Sequence, residues 1–337
     1  MKIGKVSENV LKRSVFRQIK TKRKEVISGA VSGGDCAFFA SAENGELMAS
    51  CMREAAVACG TNRNATAVPM EILLQKCVNN LACGGAEPLA VQITLLLPED
   101  AEESVLKQLM SEAEETSSKL SMQIAGGQTR LTKAVNTPYA VVTGYGRVKS
   151  GEVHTIKEAK PGEDIVISKW IGLEGTAMLA KSYREKLLER YPAYLVEEAA
   201  GFSQYISVLS EATIARKYGV GAMHDASEGG IFGALWELAE GAGLGMSVDL
   251  KKLPLRQETV EVCEQLNVNP YELLSGGCLL MTTEDGNGLV EALERQGIPA
   301  VVVGKLTDSN DRVLHNDDEI RYMDKPKTDE IYKLEEN

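Results

Sequence analysis

The stretch Met223-His224-Asp225-Ala226-Ser227-Glu228-Gly229-Gly230-Ile231 constrains this chain more than any other. An acidic, polar turn ends in two glycines and runs directly into an apolar helical pattern, Ile231 to Ala242. Ahead of it, Ile206 to Gly219 reads as a helix and Val220 to Met223 as a short buried strand. The chain therefore leaves a strand, turns on glycine, and enters a helix whose first backbone N–H groups have no partner inside the helix. Such an end attracts anions through those donors and through the helix dipole. Two readings stand: a phosphate and its metal sit beside Asp225, or Asp225 or Ser227 caps the helix and nothing binds.

At 337 residues there is room for two cores. Lys149-Ser150-Gly151, reinforced by Pro161-Gly162, marks a boundary between units 1–150 and 151–337. In the first unit, Asn9 to Ile19 has helical spacing, and a strand from Cys36 to Ala42 turns at Asn44-Gly45 into Glu46 to Ser50. Pro69 opens a helix, Met70 to Cys83, with Ile72, Leu73, Cys77, Val78 and Leu81 on one face. Leu89 to Leu97 reads as a buried strand, followed by an acidic helix ending near Leu120 and strands Ser121 to Ile124 and Tyr139 to Val148. In the second unit, strand Asp164 to Lys169 and helix Thr176 to Leu188 precede the glycine turn. After it come strand Gly245 to Leu250, helix Pro254 to Leu266 and strand Leu279 to Thr283. Helix Gly288 to Gln296 and strand Ala300 to Leu306 complete the unit, and the polar, charged remainder is expected to pack loosely. Both units mix strands and helices, which implies two α/β domains.

With 44% apolar and 25% charged residues, the chain has the composition of a soluble globular protein. Its net charge of −11 offers no global field for nucleic acid, which is not expected as a partner. The basic cluster Lys20 to Lys24, with Lys12, Arg13 and Arg17 before it, is either a solvated helix end or an arm that closes over a polyphosphate. None of the seven cysteines forms a C-x-x-C pair, and His154, His224 and His315 are dispersed, so no zinc spacing can be drawn. Free thiols and the lack of a leader sequence point to a reducing cytoplasm. The longest apolar run, Leu89 to Leu97, is too short to cross a bilayer, and no membrane association is expected.

The glycine turn resembles the M-H-D-x-x-x-G-G turn of the aminoimidazole ribonucleotide (AIR) synthetase, or PurM, superfamily, in its HypE hydrogenase-maturation branch. Four further segments match in order. Gly33-Gly34-Asp35-Cys36-Ala37 resembles G-D-D-A-A, and Cys77-Val78-Asn79-Asn80-Leu81-Ala82 with Gly84-Gly85-Ala86-Glu87-Pro88-Leu89 resembles V-N-D-L-A…G-A-x-P-L. Gly126-Gly127-Gln128-Thr129-Arg130 resembles G-G-D-T-K, and Ile171-Gly172-Leu173-Glu174-Gly175 resembles I-G-x-H-G. The resemblance implies an α/β (α+β), two-domain PurM-like fold. Its N-terminal mixed sheet would pair with that of a second copy in a dimer barrel, beside a C-terminal mixed α/β domain, with clefts between the domains. It also implies a homodimer that binds ATP and Mg2+, with a possible protein partner, and passes a γ-phosphoryl group to an amide, thiocarbamate, selenide or phosphate oxygen. By the same resemblance Asp35, His224 and Asp225 would be catalytic. Asn80, Gly126, Gly127, Gln128, Thr129, Arg130, Gly229 and Gly230 would hold the nucleotide, and Asp35, Asp225 and Glu228 the metal.

The chain departs from that pattern where charge matters. Gly34 replaces the first aspartate of G-D-D, Cys51 aligns with the aspartate of a T-T-D strand, Asn80 replaces that of V-N-D and Gln128 that of G-G-D-T. Amides supply oxygen but no charge, and hard divalent sites strengthen with ligand charge. Gly126, Gly127 and Thr129 form either an anion-accepting turn with Arg130 as a forked donor, or a plain strand-to-loop turn with an exposed arginine. Glu228 either replaces a lost carboxylate or repels a nucleotide. Cys51 is either a nucleophile with no base spaced to activate it or a core thiol. HypE proteins carry the substrate group on a tail ending Pro-Arg-Ile-Cys; here Lys333-Leu334-Glu335-Glu336-Asn337 ends the chain and Cys278 is the last cysteine. Two functions follow. One is a divergent ATP-dependent phosphotransferase or dehydratase with a rebuilt metal site. The other is a non-catalytic nucleotide- or anion-binding dimer, or a partner-binding scaffold, that has lost Mg-ATP.

Overall fold

A computed structural model describes residues 6, 8–30, 33–41, 45–59 and 66–334. Ala42 and Asn44 of the expected hairpin and Glu335 to Asn337 of the tail lie outside the described residues. The N-terminal sheet contains β1 (Val26–Ser28), β2 (Ala37–Ala40), β3 (Glu46–Ala56), β4 (Glu87–Leu97), β5 (Gln123–Leu131) and β6 (Tyr139–Lys149). Its order is β1-β2-β3-β6-β4-β5, antiparallel throughout except for the parallel β4–β5 pair. Burial in β6 alternates residue by residue, the period of a strand with one face on a core.

Helix Met70–Cys83 covers that face. Its apolar spacing predicts one buried side, yet eleven of its fourteen residues are buried. The C-terminal half covers the other side: the Asn79 amide donates to the Ile206 carbonyl at 2.8 Å and accepts from the Val208 N–H at 3.1 Å. One turn away, Lys76 pairs with the buried Glu174 at 2.8 Å. Leu73 and Leu81 thus share one core with Leu179 and Leu273 from the other half. Each such leucine contributes roughly 1.5–3 kcal/mol.

The second sheet contains β7 (Asp164–Ser168), β8 (Met223–Asp225), β9 (Gly245–Asp249), β10 (Leu279–Thr283), β11 (Ala300–Thr307), β12 (Arg312–Asn316) and β13 (Glu319–Tyr322). The order is β13-β12-β9-β11-β7-β10-β8, antiparallel except for β12–β9. All five residues of β10 are buried, as expected of a central strand covered on both faces.

Four elements differ from the sequence expectation. The helix expected over Thr176 to Leu188 divides at Tyr183 into Leu173–Ser182 and Arg184–Leu188. The strand expected over Val220 to Met223 lies instead at Met223–Asp225, because these residues pair with Met281, Leu280 and Leu279 of β10. His224 and Asp225 therefore sit on the sheet and not in the turn. Gly126 to Arg130, expected as a turn, continue β5 alongside Gln92 to Leu96. Gly127, at φ +148°, makes this possible, since a Cβ there would lie 1.8 Å from the Ile93 carbonyl oxygen. Beyond Leu306 the chain does not pack loosely: β12, β13 and a 3-10 turn at Glu330–Leu334 follow, anchored by buried Leu314, Met323 and Ile331. Among the described residues no helix is long and apolar enough to cross a membrane.

Candidate functional site

A cleft of about 520 Å³ opens where the two halves meet. Its walls come from the glycine run before β2, from Ser50 to Arg53 of β3, from the end of β8 and the glycine turn, and from Lys325 to Lys327. The N-terminal helix Glu8–Ser14 contributes Asn9 and Leu11. Gly33, at φ +68°, lets the loop that carries Asp35 approach helix Gly230–Ala242, for a Cβ there would lie 2.8 Å from the Glu237 carbonyl oxygen.

His224 sits at the centre and is 4% exposed. Its Nδ1 lies 2.9 Å from Asp35 Oδ2 and its Nε2 3.2 Å from Glu237 Oε2. Burial works against the imidazolium, but the charge and hydrogen bond of Asp35, joined by Glu237, outweigh it and raise the ring pKa to about 10. At neutral pH this ring is a buried cation that donates through both nitrogens. It is not a free base.

Asp225 is 2% exposed, and neither carboxylate oxygen has a hydrogen-bond partner among the described residues. Arg53 Nη2 lies 3.7 Å from Asp225 Oδ2, within ion-pair reach, and donates to Asn80 Oδ1 at 2.6 Å. Burial pushes the Asp225 carboxyl up to about 7, with Arg53 opposing and Asp35 reinforcing the rise. The glycine turn is held from the far end of the chain: Asp329 Oδ2 accepts the Gly229 N–H at 2.7 Å, and its Oδ1 accepts that of Ile331 at 3.0 Å. Burial likewise raises Asp329 to about 7. Gly230, at φ +64°, has no room for a side chain, since a Cβ would lie 2.5 Å from the Tyr271 carbonyl oxygen.

Of the residues expected from the sequence, Asp35, Asn80, His224, Asp225, Glu228 and Gly229 line this cleft together. Gly230 opens the helix behind it. Gly126, Gly127, Gln128, Thr129 and Arg130 are all exposed on β5, the outer strand of the N-terminal sheet, and none of them lines the cleft. Cys51 is a core thiol: its Sγ donates to the Cys77 carbonyl at 3.1 Å, and the hydrogen bond with Cys36 together with burial holds it well above its ordinary pKa. It is a poor thiolate nucleophile. The sequence reading missed Arg53, Glu237, Lys325, Lys327 and Asp329. Two had a signal. Arg53 follows Cys51 by two residues and so shares its strand face, and Glu237 lies seven residues past Gly230, two turns along one helix face. The lysines and Asp329 had none.

The fit to magnesium turns on the donors that remain. Asp35 is engaged by His224, the Asn80 oxygen accepts from Arg53, and Asp225 faces the guanidinium. Among the described residues no group of three or more His, Cys, Asp or Glu side chains is disposed to hold a metal ion, the expected set of Asp35, Asp225 and Glu228 included. The cleft as built does not fit a divalent metal.

Comparison with known proteins places this geometry in a family. The profile of the AIR synthase related protein N-terminal domain matches residues 71–148, and that of its C-terminal domain matches residues 160–316. The chain is 27% identical over 241 residues to a putative hydrogenase expression/formation protein of Methanocaldococcus jannaschii, covering 70% of each chain. It is 26% identical over 234 residues to the carbamoyl dehydratase HypE of Rhodobacter capsulatus, covering 68% of this chain and 66% of that one. The matched stretch thus spans about two thirds of those relatives' own length. Among solved structures, a HypE–HypF complex superposes with a TM-score of 0.71 at 20% identity, over 88% of this chain and 94% of that one. HypE in complex with ATP superposes with a TM-score of 0.67 at 15% identity, over 97% of each. The chain belongs to the AIR synthase related, PurM-like superfamily, on its HypE branch.

Proposed function

We propose that this chain is a HypE-like ATP-binding protein, a divergent ATP-dependent phosphotransferase or dehydratase acting as a homodimer. In this reading residues 1–150 form the nucleotide-binding and pairing half and residues 151–337 the covering half. The observation that carries it is the convergence of Asp35, Asn80, His224 and Asp225, drawn from both halves, on one cleft at the glycine turn. Relatives called carbamoyl dehydratase, and a similar fold solved with ATP, support the nucleotide. A similar fold solved as a HypE–HypF complex supports a protein partner.

Within the cleft, His224 and Asp35 act as a fixed ion pair that positions β8 against the N-terminal half. Asp225, with its carboxyl raised to about 7, is the group able to take or give a proton near neutrality. Arg53 supplies positive charge for phosphate oxygens. Gly126 to Arg130 would reach a nucleotide only from a second copy, which makes their role part of the dimer proposal. The second reading, a non-catalytic nucleotide- or anion-binding dimer, is favoured by one observation: the cleft's Asp35 and Asp225 already face protein cations.

Calorimetric titration with ATP and a non-hydrolysable analogue, coupled to a phosphate-release assay, separates the two. Binding with turnover supports the enzyme, and binding without turnover supports the second reading. No heat from either nucleotide removes the enzyme and the nucleotide-binding readings and leaves an anion-binding or partner-binding scaffold.

A further inference from the structure

The Arg53 side chain lies where the residues matched to the family's metal ligands converge. Its Nη2 donates to Asn80 at 2.6 Å and lies 3.7 Å from Asp225, and the charge of Asp35 also reaches it. The losses of negative charge at Gly34, Cys51 and Asn80 and the presence of a cation at Arg53 act in the same direction. We propose that the Arg53 guanidinium is the built-in cation of this cleft, holding the place of a divalent ion, and that the cleft takes a polyphosphate without metal. The second part rests on the nucleotide-binding reading above; the first does not.

The geometry leaves the guanidinium equipped for that role. It carries five N–H donors in a rigid fork. One Nη2 donor is used on Asn80, and Nε is buried with no partner among the described residues. The other Nη donors remain for phosphate oxygens, and the paired Nη groups suit a bidentate contact. Asp225, buried and without a side-chain hydrogen bond among the described residues, holds the guanidinium by charge without consuming its donors. A divalent ion close enough to use Asp225 would also be close to the guanidinium, which repels it. Asp35 is no more available, because the doubly held His224 ring stands against it.

The test uses the whole protein and two measurements. Free Mn2+ is counted by electron paramagnetic resonance in titrations of wild type, Arg53→Gln and Arg53→Lys. ATP and inorganic tripolyphosphate are titrated calorimetrically in EDTA and in magnesium. The wild type is expected to bind no Mn2+ at micromolar concentrations and to bind ATP as tightly in EDTA as in magnesium. Arg53→Gln is expected to weaken metal-free binding by about tenfold or more, as loss of a charge-assisted donor does. Arg53→Lys keeps the charge and should still exclude Mn2+, which preserves the test if the glutamine variant fails to fold. Micromolar Mn2+ binding by the wild type, or ATP binding that appears only with magnesium, overturns the proposal and leaves the nucleotide-binding reading in place. Silence with both polyphosphates in every buffer overturns the nucleotide reading and the metal-free binding that rests on it. Tripolyphosphate binding equal to that of ATP would show that the cleft reads phosphate and not the base.

Discussion

Replacing Asp35 with asparagine should flatten the pH dependence of stability in the mildly alkaline range. The His224 ring is buried and its pKa is raised to about 10, against about 6.5 in an unfolded chain. The folded state therefore keeps a proton that the unfolded state releases. The stabilisation is complete below about pH 6.5 and is lost as pH climbs towards about 10. Between those limits the ring's contribution falls by about 1.4 kcal/mol per pH unit, so from about pH 7.5 to about pH 9 it should cost the wild type about 2 kcal/mol. Asp225 and Asp329, raised to about 7, have largely ionised in the folded state below this window, while the buried thiols, free to ionise near about 8.5 once unfolded, add their own loss in wild type and variant alike. Urea denaturation followed by circular dichroism at the two pH values gives the difference directly. In Asp35→Asn, of the two carboxylates against the ring Glu237 remains, the ring pKa falls, and the pH-dependent loss should be smaller than the wild type's by about 1 kcal/mol or more. Absolute stability near neutrality should fall by about 3–5 kcal/mol, as when a buried pair loses one member. A variant that keeps the full wild-type slope would refute the pair as its source.

Lys76→Met strands the buried Glu174 and should cost about 3–5 kcal/mol in chemical denaturation, most of which the double change with Glu174→Leu should restore. Gly127→Ala should cost more than about 3 kcal/mol or shift the β5 register, since its Cβ would meet the Ile93 carbonyl. Gly126→Ala, at φ +144° but in open space, should cost less, about 1–3 kcal/mol of backbone strain, and a thermal melt of the two compares them. Asp329→Ala leaves the Gly229 N–H without its acceptor and should destabilise by about 1–3 kcal/mol. Hydrogen exchange at Gly229 should rise sharply in that variant, and unchanged protection would refute the tether.

The sequence shows elements whose signal is local. Helix Met70–Cys83 and strand Leu279–Thr283 lie where apolar spacing and flanking residues put them, because burial in a continuous core enforces both periods. Elements fixed by partners elsewhere in the chain are less visible. Met223–Asp225 is a strand because β10 pairs with it, and Gly126 to Arg130 are a strand because Gly127 tolerates close contact with β4. The polar composition after Leu306 hid the few apolar anchors, Leu314, Met323 and Ile331, that tie the segment down. At the site, the motif residues on either side of His224 are legible as motifs. Arg53 is not, since its meaning comes from Asn80 on a helix and Asp225 on another sheet.

The assembly order of the cleft follows from the hydrogen bonds that close it. Asp35 and His224 are separated by 189 residues, and Gly229 and Asp329 by another 100. Such distant pairings form late in folding, because loop closure must precede any contact that rewards it. A nascent chain would carry the glycine turn and the Asp35 loop long before Asp329 emerges to hold the turn in place. Ligand competence would then arrive last, as a report that both halves have folded and docked.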